Sequence, residues 1–95
     1  MKDDIKTKDM IEVKKFSASW CAPCRLVKEI FNEVKSEVSG VRFTDIDVDE
    51  NTDEAQKYGV RSIPMVVIEK DGQVVQKITG SQPKAAYITA INGCR

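Results

Sequence analysis

The chain has 95 residues, with fifteen lysines and arginines set against fifteen aspartates and glutamates, three cysteines and no histidine. Zero formal charge leaves no electrostatic footprint for nucleic acid or an anionic membrane. The missing histidine removes Cys–His and Ser–His catalysis and most zinc sites.

The length suits one domain with a modest core. No apolar run approaches the ~18 residues of a membrane span. The opening residues Met1 to Lys6 are charged and lack the apolar stretch of a signal peptide, so the expected location is the cytoplasm, where thiols stay reduced. An odd number of cysteines also argues against a secreted disulfide framework.

Residues 1–9 are polar and unpatterned, and read as a frayed tail or one short element. Met10 to Ala18 reads as a strand, with Ile11 and Val13 alternating with Glu12 and Lys14 before Phe16. The consecutive Lys14 and Lys15 interrupt that pattern. The strand runs into Trp20-Cys21-Ala22-Pro23-Cys24, and a helix begins there. Cys-x-x-Cys at a strand-to-helix junction reads as a redox pair. The spacing is chemical: one thiol attacks, and the other, one turn away, must then reach the same sulfur. The helix N-terminus, with its unpaired N–H groups and dipole, favours the thiolate of Cys21, and Arg25 adds positive charge nearby.

The helix extends over Ala22 to Ser39, with Leu26, Val27, Ile30, Phe31, Val34 and Val38 as its apolar stripe and Gly40 as its stop. Val41 to Val48 is a second strand ending in acidic residues. Acids at 45, 47 and 49 loosely suggest a calcium loop, but no glycine stands sixth and no glutamate twelfth, so the run reads as a solvated strand end and helix cap. Asn51 to Tyr58 forms a short helix closed by Gly59. Pro64 opens Met65 to Ile68, an apolar run suited to a strand buried on both faces. Lys70-Asp71-Gly72-Gln73 signals a hairpin, Val74 to Thr79 the returning strand, and Pro83 to Asn92 a last helix with Tyr87, Ile88 and Ile91 as a short apolar stripe and Ala90 beside it. This order predicts an α/β domain: a small mixed sheet with helices on both faces.

The Trp20-to-Cys24 run resembles the thioredoxin family, whose usual motif is Trp-Cys-Gly-Pro-Cys. Tyr58-Gly59-Val60-Arg61-Ser62-Ile63-Pro64 is similar to the segment that leads to the family's cis-proline. Asp71-Gly72 is similar to its hairpin turn, and Gly80 to the glycine facing its active site. The likeness covers roughly residues 11–92. It implies a thioredoxin fold of four to five strands in a single domain over 1–95. It implies a dithiol–disulfide oxidoreductase that reduces protein disulfides, needs no cofactor or metal, takes electrons from a thioredoxin reductase and acts as a monomer. Cys21 would be the nucleophile and Cys24 the resolving thiol. Trp20, Ala22, Pro23, Ile63, Pro64 and Gly80 would form the substrate surface, with Ile63–Pro64 cis and the backbone of Ile63 open to a substrate strand.

Three positions depart from the family. Ala22 replaces the usual glycine, so the family's potential of about −270 mV does not transfer directly. Lys15 stands where thioredoxins carry a buried aspartate, and Asp45 where they often carry a lysine. The two are therefore expected to face each other, with Asp45, directly or through a water, assisting deprotonation of Cys24; the alternative reading is that both side chains reach solvent and only coincide with family positions. Cys94 reads as a lightly structured thiol outside the reaction. Rival readings are a disulfide oxidase or isomerase, a glutaredoxin-like protein, or a binding module using the Trp20–Pro64 surface without catalysis.

Overall fold

The computed structural model describes residues 10–95, so the expectation for residues 1–9 lies outside the described residues. In chain order the elements are β1 (Ile11–Ser17), α1 (Ala22–Glu37), β2 (Val41–Asp47), α2 (Thr52–Lys57), β3 (Met65–Lys70), β4 (Gln73–Thr79) and α3 (Lys84–Gly93). The four described strands form one mixed sheet in the order β2-β1-β3-β4. β1 pairs parallel to β2, from Ile11 opposite Val41 to Ser17 opposite Asp47. β3 runs antiparallel to both β1 and β4.

β1 and β3 are the central strands, and their side chains alternate between two cores. Ile11, Val13, Val66 and Ile68 pack on Val27, Phe31 and Val34 of α1 and on Tyr87 and Ile91 of α3. On the other face Phe16, Ile46, Met65 and Val67 pack on Tyr58, the residue that closes α2. Helices therefore cover both faces, and β1 is held from both sides where it delivers the chain to Cys21. Among the described residues no helix is long and apolar enough to cross a membrane.

Two local expectations are corrected. α1 stops at Glu37, because Val38 is already extended at φ −120° and ψ 120°, and Gly40 (φ 74°) makes its turn two residues later. Leu26 is 53% exposed and no part of the buried stripe. The inward line of α1 is Cys24, Val27, Phe31 and Val34, and Leu26 falls one residue, about 100°, off it. The hairpin has the expected form: Asp71 (φ 54°) and Gly72 (φ 86°) are both left-handed, as a type I′ turn requires.

Candidate active site

The end of β1 and the start of α1 place the cysteines. The Cys21 N–H donates to the Ala18 carbonyl at 3.1 Å, which folds the chain back directly after the strand. Cys21 is the N-cap of α1, and Pro23 sits in the first turn, where its missing N–H has no helical partner to lose. The Cys24 N–H donates to Cys21 Sγ at 3.2 Å, and the two cysteines are joined as a disulfide with their Cα atoms 5.3 Å apart. A donor already aimed at that sulfur, at a helix N-terminus, is also the donor a thiolate there would use. Cys21 and Cys24 are buried with Ala18 against Val48 and Ile63, while Ala22 and Pro23 are exposed. The Arg25 guanidinium is committed to the Ser19 carbonyl at 3.3 Å.

Beside the disulfide lies an apolar groove of about 330 Å³ lined by Trp20, Val48, Val60, Arg61, Ser62 and Ile63. Trp20 is 67% exposed, yet its Nε1–H donates to Asp49 Oδ2 at 2.8 Å, so the ring is pinned rather than free. Ile63–Pro64 is cis. The Gly80 N–H donates to the Pro64 carbonyl at 2.8 Å, and Gly80 adopts φ 81°, a conformation that side chains rarely tolerate. Trp20 and Ile63 share that groove, Ile63 also packs on the cysteines, and Gly80 is bonded to Pro64, whose ring is fully buried. Val48, Val60 and Asp49 were not among the expected site residues. Their signal, two valines at the ends of a strand and a loop plus one acid among many, is too common to find them.

On the α1 side, Lys15 and Asp45 are paired in the β1–β2 register, with Nζ 3.3 Å from Oδ1. The expected facing pair is present, but it is asymmetric. Lys15 is 5% exposed, whereas the Asp45 side chain is 57% exposed. Lys15 Nζ also lies 5.4 Å from the centre of the Phe31 ring. Burial pushes the Lys15 pKa below its ordinary value, with Asp45 opposing and Lys35 and Lys28 adding to the fall. Lys15, Asp45 and Cys24 line one open cleft of about 320 Å³, together with Ser17, Arg25, Lys28 and Asp47.

Much of the acidic run that follows is occupied in turn formation. Asp47 Oδ1 accepts from the Asp49 N–H at 2.8 Å, and the Asp47 carbonyl accepts from Asn51 Nδ2 at 3.0 Å. Cys94 is corrected: it is half-buried at the C-cap of α3 and packs against the larger core, so it is not a loosely held terminal thiol.

A sulfur pair spanning one helical turn can hold two electrons as dithiol or release them on closing the disulfide, and that cycle makes the chain a dithiol–disulfide oxidoreductase. Comparison with known proteins specifies which kind. The family model described as Thioredoxin matches residues 1–93. A thioredoxin of Bacillus subtilis is 38% identical over 88 residues, covering 92% of this chain and 85% of the relative. A thioredoxin of Staphylococcus aureus is 39% identical over 82 residues, covering 85% and 79%. Among solved structures, Fasciola hepatica thioredoxin superposes with a TM-score of 0.86 at 31% identity, covering 99% of this chain and 89% of that one. The oxidised mitochondrial thioredoxin 3 of Saccharomyces cerevisiae gives 0.84 at 31% identity, covering 95% and 84%. The chain belongs to the thioredoxin family.

Proposed function

We propose that this chain is a cytoplasmic, monomeric reductase of protein disulfides, re-reduced by a flavin-dependent thioredoxin reductase. The Cys21 thiolate attacks one sulfur of a substrate disulfide; a Cys21–substrate bond forms and one substrate thiolate leaves. Cys24 then gives up its proton and attacks Cys21 Sγ. The Cys21–Cys24 bond forms and the second substrate thiolate leaves, so two electrons have passed to the substrate. The observation that carries this reading is the position of the two sulfurs: Cys21 is the N-cap sulfur receiving the Cys24 N–H, and Cys24 is one turn inside the helix.

The substrate peptide docks across Trp20, Ala22, Pro23, Ile63, Pro64 and Gly80. Support comes from the pinned, exposed Trp20 ring and the groove it shares with Ile63. Asp45 takes the proton from Cys24 through the cleft that both line, with Lys15 holding the carboxylate in place. The test is turnover of a protein disulfide with reductase and NADPH. Parent protein should turn over, and Cys21→Ser and Cys24→Ser should each abolish it. A parent that oxidises substrate dithiols but accepts no electrons from the reductase would assign it to the oxidant class instead.

A further inference from the structure

We propose that Lys15 is a positioning residue that holds a positive charge behind Cys24, stabilises the reduced pair, and so makes the couple more oxidising than a neutral side chain there would. The inference rests on the reading of Cys21 and Cys24 as the redox couple. It comes from the asymmetry of the Lys15–Asp45 pair. The Lys15 residue is 5% exposed and lines the cleft that Cys24 also lines, while the partner's side chain is 57% exposed and screened by water. A charge on the low-dielectric side acts more strongly on the neighbouring sulfur than one in solvent, so the pair does not cancel at Cys24.

The charged groups around Lys15 divide by element. β2 presents Asp45 and Asp47, whereas α1 presents Cys24, Arg25, Lys28 and, farther along, Lys35. Asp47 accepts the Asp49 N–H, which ties one of its oxygens into the turn. The Phe31 ring covers the ammonium from the core side.

The redox balance is explicit. Two glutathione thiols supply two electrons and two protons and leave as glutathione disulfide. The Cys21–Cys24 bond breaks, and each sulfur either takes a proton or keeps its charge as a thiolate. A cation at Lys15 lowers the free energy of the charged form, and stabilising the reduced state raises the reduction potential.

The experiment equilibrates parent and Lys15→Met, both carrying Cys94→Ser, with defined glutathione to glutathione disulfide ratios at pH 7. The disulfide fraction is read by quenched alkylation and mass spectrometry. Lys15→Met should fold, because the Asp45 it leaves behind is already hydrated; Lys15→Gln serves if it does not. The expected result is a shift of about tenfold in the equilibrium constant toward a more reducing couple, equal to about 30 mV. Lys15→Arg, which keeps the charge, should stay within about twofold of parent. A folded Lys15→Met within twofold of parent, or Lys15→Arg behaving like Lys15→Met, overturns the inference. A parent pair that does not equilibrate with glutathione overturns this inference and the proposed function together. A parent that equilibrates but receives no electrons from the reductase, with Lys15→Met shifted as stated, overturns the proposed function alone.

Discussion

Tyr58 donates a hydrogen bond to Glu69 on the face of the sheet opposite Lys15, and Glu69 is only 6% exposed. Lys14 completes the group: its Nζ donates to the Tyr58 hydroxyl at 2.7 Å and lies 3.6 Å from Glu69 and 3.8 Å from Glu54. The carboxylate buried on β3 is thus neutralised from β1 and hydrogen-bonded from the end of α2. Burial raises the Tyr58 pKa, and its bond to Glu69 raises it further, so the hydroxyl stays a donor through the neutral range.

Tyr58→Phe removes that donor and leaves a buried carboxylate with one partner fewer. The expected cost is about 1–2 kcal/mol, read as a Tm lower by roughly 5–15 °C. The glutathione equilibrium of Cys21 and Cys24 should not move, since Tyr58 touches neither cysteine. An unchanged Tm would show that Lys14 alone neutralises Glu69.

Lys15 yields a stability prediction with a definite pH dependence. Its folded-state pKa lies below the unfolded value of 10.5, so burial disfavours the charged form. Below the folded-state pKa both states carry the proton and the folded state bears the cost. As pH rises from the folded pKa toward 10.5, the unfolded state holds more protons and the cost fades. Lys15→Met should therefore be as stable as parent at pH 7, or up to about 5 °C higher in Tm. That advantage should shrink as pH approaches 10.5. Calorimetry of both proteins across pH 7–10.5 checks this, and a variant much less stable at pH 7 contradicts it.

Asp45→Asn separates rate from equilibrium. With Asp45 as proton acceptor for Cys24, resolution of a preformed Cys21–substrate disulfide should slow by about 10-fold or more. The initial attack by Cys21 should change little. The potential should not become more reducing, because the Lys15 cation remains. Stopped-flow release of the second substrate thiol measures the step, and a parent-like rate removes Asp45 from it.

Trp20→Ala should lower kcat/KM for a protein disulfide by about 10-fold, the effect of losing one aromatic anchor at a docking surface. A small soluble disulfide, which spans less of the groove, should lose much less. Equal losses on both substrates would mean that Trp20 acts on the cysteines and not on docking.

The regular elements were legible because periodicity survives in them. The inward line of α1, the Met65-to-Ile68 run and the Asp71-Gly72 turn each carry their geometry in a few residues. Cys21 and Cys24 were legible from their spacing at a strand-to-helix junction together with the family resemblance, which also supplied the cis bond at Pro64. Lys15 and Asp45 were paired from their family positions, but not the asymmetry of their burial, since a lysine can reach solvent from many backbone positions. The Lys14–Tyr58–Glu69 group was missed for a related reason. Its members are 44 and 11 residues apart along the chain, and each resembles an ordinary surface residue until the sheet brings them together. Leu26 misled because an apolar residue beside a stripe is indistinguishable from one within it until the helix phase is known.

The most direct measurement is site-resolved alkylation of the fully reduced Cys94→Ser protein near neutral pH, with peptides quantified over time. Cys21, the N-cap sulfur that receives the Cys24 N–H, should be labelled first and fastest. Cys24→Ser should trap a stable Cys21–substrate disulfide. Preferential labelling of Cys24, or a substrate trapped by Cys21→Ser instead, would contradict the assignment of nucleophile and resolving thiol.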